Sequence, residues 1–403
     1  MVERSELLGD YVQELVRQGA IRSAPVERAF RAVERDRFLR SIYRYLPQEG
    51  TWECITHSPE NPDLKTLQLI YSDRSLVTLV RDGRPVSSTS QPSLVAQMLE
   101  ALELYPGAKV LEIGTGTGYN AALMAKIVGD HGCIVTLDIR AEVANQAHQL
   151  LSQMGYTNIR VLCRDGFYGA SEYGPYDRIV ATVGCTDISP HWVQQLAPQG
   201  FMLVPLQHGS LSSHPLVHIH LEEGRLVGRV VGWSGFMIIE GELAWAGEFW
   251  AESPWITRVP PFVLQGEPVA SYPLPPELPL ADDPLKNPIH QAFYFLLTLN
   301  DRRACETLRG YGLITPESAV VISGQQVLLY SQDTQPDKEL YETMMTLYHT
   351  WQDLGRPSWR DYMLQFSPTS SAKGQLYKQD HKWIITRKWF EQLTWLHENA
   401  LWK

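Results

Sequence analysis

The chain has 403 residues, with 45 Asp and Glu against 35 Lys and Arg, and a formal net charge of −10. The acidic excess argues against non-specific binding to nucleic acid or to an anionic membrane, since both need clustered Lys and Arg. The five cysteines form no C-x-x-C pair, so neither a disulfide framework nor a structural zinc site is expected. The N-terminus lacks the apolar core of a signal peptide and no apolar run is long enough to span a bilayer, which predicts a cytoplasmic protein.

Two amphipathic helices are predicted near the N-terminus, in LGDYVQELVRQGAI and VERAFRAVERDRFL, because apolar residues recur at intervals of three and four. LQLIYSD and SLVTLVRDG then predict two short strands joined by a polar turn. We assign residues 1–86 to an N-terminal helical segment with an insert.

From Pro92 onward, strand and helix patterns alternate. The segments are, in order, SLVAQMLEALEL, AKVLEI, YNAALMAKIVG, CIVTLDI, AEVANQAHQLLSQMG, NIRVLC, YDRIVATVG, PHWVQQLA and FMLVPL. This alternation predicts an α/β fold, with a parallel sheet covered by helices on both faces. LVHIHL and RLVGRVVG flank EEG and predict an antiparallel hairpin at the sheet edge. The core is assigned to residues 87–252.

A proline-rich connector is predicted at residues 253–288, followed by a smaller α+β unit at residues 289–403. The unit is expected to contain a helix in HQAFYFLLTL, a strand pair around SGQQ and a longer helix in KELYETMMTLYHTWQDLG. Its aromatic-rich end includes Trp383, Trp389, Phe390 and Trp395, which are typical of core or docking residues. A surface that grips a peptide is the alternative.

The stretch VLEIGTGTGYNAALMA predicts a buried strand, a glycine-rich turn and the start of a helix. A nucleoside-triphosphate loop needs a Lys after the last glycine, and this turn has none. A dinucleotide fingerprint fits only from Gly116, Gly118 and Ala121, with two extra residues after the strand. Glu112, two residues before Gly114, would repel a pyrophosphate and attract the ammonium and sulfonium of S-adenosylmethionine. We therefore expect S-adenosylmethionine at this turn.

The next two strands also end in acids. Asp138 follows the last glycine by about twenty residues, where an acid can take both ribose hydroxyls of either NAD or S-adenosylmethionine. Asp165, followed by Gly166, lies at the carboxyl end of the third strand and can accept the adenine amino hydrogens. The alternative is that Glu112, Asp138 and Asp165 are loop acids that face water, but three at successive strand ends favour one shared site.

A series of motifs in chain order resembles the protein-L-isoaspartate O-methyltransferase family. They are VERAFRAVERDRFL, STSQP at residues 88–92, VLEIGTGTGY, RDG at residues 164–166, GPYDRIVATVG and QLAPQGFMLVPL. Thr89, Arg164 and Gln199 depart from the family's usual residues. The resemblance implies a Rossmann-like class I methyltransferase fold and S-adenosylmethionine as cofactor. It also implies methyl transfer to the side-chain carboxylate of an isoaspartyl residue in a peptide or protein.

Position by position, the resemblance implies that Ser90 lines the active site, where its hydroxyl can orient the carboxylate. The substrate stretch is then Thr89, Ser90, Gln91 and Pro92. The cofactor residues implied by the turn, the strand ends and the motifs are Glu112, Gly114, Thr115, Gly116, Gly118, Asp138, Asp165 and Gly166. The alternative role of Ser90 is the N-cap of the helix in PSLVAQML.

Repair enzymes of the family are about half as long as this chain. YSDRSLVTLV, SSTSQPSLVAQMLEAL and GWSGFMIIEG resemble a longer subfamily that methylates an Asp in ribosomally made, modified peptides. This favours tailoring of one peptide, with the methyl ester closing to a succinimide and the 289–403 unit helping to bind that peptide. General isoaspartyl repair is the alternative, and a non-catalytic peptide-binding module is another.

Two further candidates have simpler interpretations. His218 and His220 in LVHIHL are expected on the outward face of an edge strand and not at a metal, since no third ligand is evident. Cys185 is expected to be a small buried residue, because a nucleophile would need a nearby His or cation to lower its pKa.

Overall fold

The computed structural model describes residues 4–208, 214–244, 266–307, 309–332, 335–369, 376–379 and 382–397. Two compact units divide the chain. Unit 1 comprises Met1–Val183, Ser189–Leu203 and Glu240–Glu242, and unit 2 comprises Gly184–Ile188, Val204–Ile239 and Leu243–Lys403. Residues 253–265, over a third of the predicted connector, lie outside the described residues.

Unit 1 begins with helices and a small sheet and continues with alternating strands and helices. Its described helices are α1 (Arg4–Arg17), α2 (Ala24–Ala32), α3 (Leu64–Ile70), α4 (Pro92–Leu102), α5 (Tyr119–Val128), α6 (Ala141–Gln153) and α7 (Pro190–Gln195). Its described strands are β1 (Ser41–Leu46), β2 (Thr51–Thr56), β3 (Leu76–Arg81), β4 (Arg84–Thr89), β5 (Lys109–Ile113), β6 (Cys133–Asp138), β7 (Ile159–Cys163), β8 (Tyr176–Ala181) and β9 (Leu196–Pro205), whose last two residues belong to unit 2.

The N-terminal sheet is antiparallel, in the order β2-β1-β3-β4. The strand predicted for SLVTLVRDG is confirmed as β3, but the strand predicted for LQLIYSD is wrong, because its first four residues end helix α3. The Asp63 side chain caps α3 by accepting from the Thr66 N–H at 2.9 Å, and Leu67 and Ile70 are buried three residues apart on one helix face. Strand β4 runs directly into the Ser90 segment.

The central sheet of unit 1 has the order β9-β8-β5-β6-β7, and all its pairs are parallel. The predicted Rossmann-like α/β fold is therefore confirmed. The chain fills one side of β5 with β6 and β7, and then the other side with β8 and β9. Ligands in such sheets bind beyond the carboxyl ends of the strands, where the strand order reverses. Here that position is beside the end of β5.

The described residues of unit 2 form two groups of strands and two long helices. Its described elements are β10 (His214–Glu222), β11 (Arg225–Ser234), β12 (Ala270–Pro273), α8 (Pro288–Asn300), β13 (Ala304–Thr307), β14 (Gly310–Ile314), β15 (Ser318–Ile322), β16 (Gln326–Ser331), α9 (Lys338–Asp353), β17 (Tyr362–Pro368), β18 (Leu376–Gln379), β19 (Lys382–Thr386) and β20 (Phe390–Leu396). Both predicted helices and the strand pair around SGQQ are confirmed. They share one apolar core, with the order β12-β16-β15-β14-β13 in the sheet.

The hairpin β10–β11 is confirmed, but its predicted place at a sheet edge is wrong. Strand β11 also pairs with β17, which pairs with β20, so the aromatic-rich C-terminal strands extend the sheet beyond the hairpin. Within that segment Trp383 and Phe390 are buried, as core residues are. A strand can be recognised as an edge strand only when all the strands that pair with it are known. The partner β17 follows β11 by more than 120 residues, so the sequence around the hairpin does not reveal it.

A buried polar network in unit 2 ties the turn after β19 to residues 184–188. The Arg387 guanidinium donates to the carbonyls of Thr186 at 2.7 Å and Gln207 at 2.9 Å. The Asp187 carboxylate accepts from the Trp389 N–H at 2.6 Å. Burial raises the pKa of Asp187 to about 7, although Arg387 and backbone N–H groups lower it. The network holds two segments that lie about 200 residues apart in the chain.

We expect Arg387→Met to lower the free energy of unfolding by roughly 3–5 kcal/mol, because removing one member of a buried charged network leaves its partners unpaired. Urea unfolding followed by tryptophan fluorescence measures this loss. Lys382→Met, at an exposed position on β19, is the control and should be neutral. Equal stability of the two variants would contradict the assignment.

Candidate active site at the carboxyl ends of the parallel strands

The turn between β5 and α5 depends on its glycines. Gly114, Gly116 and Gly118 have φ values of 101°, 53° and 82°, which other residues adopt only with strain. A Cβ at Gly114 would lie 2.9 Å from Thr182 Oγ1, and one at Gly116 would lie 3.3 Å from the Ser88 carbonyl. The turn therefore packs its backbone against the end of β8 and against the segment that leads to Ser90.

A chain of buried hydrogen bonds supports the turn. The fully buried Glu112 carboxylate accepts from Asn120 Nδ2 and from Thr136 Oγ1, both at 2.7 Å. Thr136 Oγ1 lies 2.8 Å from Thr115 Oγ1, so the chain continues into the turn itself. Burial raises the pKa of Glu112 to about 7, against the lowering effect of its two hydrogen bonds, and the nearby Asp138 raises it further. Both carboxylate oxygens of Glu112 thus hold β5, β6 and α5 to the turn.

Asp138, at the end of β6, hydrogen-bonds the backbone of the turn between β5 and α5. Its Oδ2 accepts from the Gly116 N–H at 3.1 Å and its Oδ1 from the Arg140 N–H at 3.0 Å. Burial raises the pKa of Asp138, while these two bonds lower it and the Glu240 carboxylate raises it. An ionised carboxylate has about four acceptor positions, so roughly two remain for the hydroxyls of a ribose.

Asp165 and Gly166 form the third strand end. A Cβ at Gly166 would lie 2.4 Å from Ile113 Cγ2, so only glycine allows this loop to pack on β5. One oxygen of Asp165 accepts from the N–H two residues later at 2.9 Å, and the other accepts from the Glu242 N–H at 2.9 Å. Gly241, with φ of 85°, packs directly on that carboxylate. The contact with residues 240–242 has no signal in the sequence.

Ser90 lies between β4 and α4 and is half-buried. The N-cap of α4 is Gln91, so the alternative role of Ser90 as N-cap is wrong. Thr89 is buried at the end of β4, and Pro92 is the first residue of α4. Over the described part of the chain the Ser90 hydroxyl has no hydrogen-bond partner, whereas its carbonyl accepts from Arg35 Nη2 at 2.9 Å.

The structure thus brings the residues predicted from the sequence to one end of the parallel sheet, with two additions that sequence reasoning missed. Arg35 contacts the Ser90 carbonyl, and Asp73 accepts from the Ser93 N–H at 2.8 Å and from Gln91 Nε2 at 3.0 Å. Arg35 carried little signal, because Glu34, Asp36 and Arg37 beside it in VERAFRAVERDRFL are also charged and the sequence does not show which of them is buried. Asp73 carried no signal, because its partners Gln91 and Ser93 lie 18 and 20 residues away in the chain.

The remaining candidates lie in unit 2 and form no second site. The His218 and His220 rings are 5.5 Å apart, and within the described ranges no group of three or more His, Cys, Asp or Glu is arranged to hold a metal ion. Cys185 is buried, which confirms the prediction of a small buried residue, and burial raises the pKa of its thiol. None of the helices that the structure describes is both long and apolar enough to cross a bilayer.

Comparison with known proteins identifies relatives of this arrangement. Residues 8–234, 227 of the 403, match the model of the family described as Protein-L-isoaspartate(D-aspartate) O-methyltransferase (PCMT). The Protein-L-isoaspartate O-methyltransferase of Hyperthermus butylicus is 34% identical over 242 residues, which cover 58% of this chain and 88% of that one. The enzyme of the same name from Thermotoga maritima is 36% identical over 177 residues, covering 44% of this chain but only 56% of its own length.

A solved structure of a protein named protein-L-isoaspartate O-methyltransferase has a similar fold, with a TM-score of 0.53 and 24% identity. The similarity covers 89% of this chain and 96% of that one. It therefore extends beyond residues 8–234 into the C-terminal part of the chain. This family uses S-adenosylmethionine, so the cofactor expected at the turn is supported by the comparisons.

We expect Asp138→Ala to weaken binding of S-adenosylhomocysteine by roughly 1.5–3 kcal/mol, the usual contribution of hydrogen bonds to a charged group. Asp138→Asn should weaken it less, because the amide oxygen still accepts one bond. Isothermal titration calorimetry measures both, with the exposed Asp130→Ala as control. Unchanged affinity in a folded Asp138→Ala variant would show that this acid does not contact the cofactor.

Glu112 gives a prediction for the pH dependence of stability. Its folded pKa of about 7 exceeds its ordinary value of 4.5, so its contribution to stability is full below pH 4.5 and is lost as the pH rises to about 7. We therefore expect that, as the pH rises through this range, the free energy of unfolding of the wild type falls relative to that of Glu112→Gln. Urea unfolding of both proteins measures this difference. Other titrating acids cancel in that difference. A difference independent of pH would mean that Glu112 is charged in both states.

Proposed function

Because the chain belongs to the protein-L-isoaspartate(D-aspartate) O-methyltransferase family, we propose that it methylates the side-chain carboxylate of isoaspartyl residues in peptides or proteins. The observation that carries this proposal is the contact between two distant segments. The Ser88 carbonyl lies against Gly116, so the segment leading to Ser90 borders the turn that Asp138 closes. A substrate group beside Ser90 would be adjacent to a cofactor held by that turn.

The residues at the turn fit S-adenosylmethionine, which supplies an electrophilic methyl group when bound. Asp138 has acceptor positions left for ribose hydroxyls, and Asp165 can accept from an adenine amino group. The backbone of Gly114, Gly116 and Gly118 allows close approach of a ligand. Glu112 supports the turn, since its hydrogen bonds hold the turn in shape.

The substrate carboxylate needs no general base. Its pKa lies near 4, so it is ionised and nucleophilic at neutral pH. The enzyme's contribution is then to hold one carboxylate oxygen in line with the methyl group and to exclude water. The Ser90 hydroxyl is suited to this role because it is half-buried and can donate a hydrogen bond to the other carboxylate oxygen.

The product ester determines the biological outcome. An ester is a better electrophile than a carboxylate, so the following backbone amide can attack it, release methanol and close a five-membered succinimide. Hydrolysis of that ring returns part of the material as normal aspartate. This sequence of reactions amounts to repair of an isoaspartyl site.

Tailoring of one ribosomally made peptide is the second candidate, and the size of unit 2 favours it, because contacts remote from the reacting group add specificity. Two observations reduce its weight. The fold similarity to a solved protein-L-isoaspartate O-methyltransferase structure covers 89% of this chain. Of the aromatic residues in the C-terminal segment, Trp383 and Phe390 are buried, and Trp389 and Trp395 are partly buried. General repair is therefore the better supported function.

A panel of unrelated peptides, each with an isoaspartyl residue and an aspartyl counterpart, tests the choice by mass spectrometry. Methylation of most isoaspartyl members supports repair, whereas methylation of a single sequence supports tailoring. A protein that binds S-adenosylhomocysteine but methylates no member of the panel would overturn general repair.

Ser90→Ala tests the site itself. Loss of a hydrogen bond to a charged group should lower kcat/KM for an isoaspartyl peptide by roughly 10- to 100-fold. Affinity for S-adenosylhomocysteine should stay unchanged, because Ser90 is assigned to the substrate. Ser152→Ala, exposed on α6, is the control. Wild-type turnover in Ser90→Ala would remove the hydroxyl from the mechanism.

A further inference from the structure

Arg35 is fully buried, and both terminal nitrogens of its guanidinium donate to backbone carbonyls. Nη1 donates to the Ile70 carbonyl at 2.6 Å and to the Ser72 carbonyl at 3.1 Å. Nη2 donates to the carbonyls of Arg74 and Ser90, both at 2.9 Å. One side chain thus joins the turn at residues 70–74 to the backbone of the proposed active-site serine.

Filling the space between these segments does not require a buried arginine. Burying a charge is costly, and apolar residues of similar volume are often equally stable in place of buried ions. Four carbonyls in two pairs match the planar fork of a guanidinium, which the point charge of a lysine does not reproduce. The fork fixes the distance between the 70–74 turn and the Ser90 carbonyl.

The same turn holds the other side of Ser90. Asp73 accepts from the Ser93 N–H at 2.8 Å and from Gln91 Nε2 at 3.0 Å. Ser90 is therefore restrained on both sides, at its own carbonyl by Arg35 and at the start of α4 by Asp73. The backbone on both sides of Ser90 is therefore held by Arg35 and Asp73.

We propose that Arg35 and Asp73 are positioning residues that aim the Ser90 hydroxyl at the substrate carboxylate. This inference rests on the proposed function, because it assigns the hydroxyl a substrate to orient. It goes beyond that function by placing part of the catalytic rate in the N-terminal segment, outside the parallel sheet.

A double-mutant cycle tests the proposal in the full-length protein. In the wild-type background, Arg35→Lys should lower kcat for an isoaspartyl peptide by about 10- to 100-fold, the usual effect of misplacing a reacting group by about 1 Å. In the Ser90→Ala background the same change should lower kcat by less than about twofold, the usual error of additivity. Affinity for S-adenosylhomocysteine should be equal in all four proteins. Arg31→Lys, on the exposed face of α2, is the matched control.

Asp73→Asn provides a second cycle in case Arg35→Lys does not fold, since the asparagine keeps one acceptor for the start of α4. Equal losses of kcat in both backgrounds, for either residue, would overturn the proposal and leave a purely structural role. The same conclusion follows if Ser90→Ala has no effect while Arg35→Lys still does. Absence of methylation by the wild type would instead refute the proposed function, so the two failures are distinguishable.

Discussion

The site depends on one backbone constraint, the close approach of the Gly114–Gly118 turn to its surroundings. Three positive φ values within five residues point the chain sharply from the end of β5 into α5. The turn then lies against β8 on one side and against the segment before Ser90 on the other. A Cβ at Gly114 would press on Thr182 at the end of β8, and one at Gly116 would press on the Ser88 carbonyl in the segment that leads to Ser90.

Charge at this end of the sheet follows from the same packing. Because the turn is tight, Glu112 is buried beneath it and Asp138 beside it, and burial raises the pKa of both. Asp138 also raises the pKa of Glu112, and Glu240 raises that of Asp138. A cationic ligand above the turn would favour the ionised form of each acid. The electrostatic reason for expecting a sulfonium-bearing cofactor therefore remains, and within the protein both carboxylate oxygens of Glu112 accept hydrogen bonds from Asn120 and Thr136.

The site is assembled from segments that are far apart in the chain. Arg35 and Asp73 come from the N-terminal segment, and Gly241 comes from beyond the parallel strands, where it packs on Asp165. Gly241 packs on an acid at a parallel strand end, whereas Arg35 and Asp73 hydrogen-bond the segment that joins β4 to α4. The parallel strands therefore bring the acids to one edge of the sheet, and the N-terminal segment restrains the backbone around Ser90.

The sequence by itself determined the strand and helix alternation, the turn and the acids at three strand ends, because those features follow from local periodicity and from residues next to one another. Tertiary structure decided what depends on distant partners. The apolar pattern of residues 67–70 is compatible with a strand as well as with a helix. In the structure Leu67 and Ile70 are buried on one face of α3. The β10–β11 hairpin is interior because β17 pairs with it, and Ser90 is held by Arg35 across 55 residues. Such long-range hydrogen bonds have no periodicity, so only the folded chain reveals them.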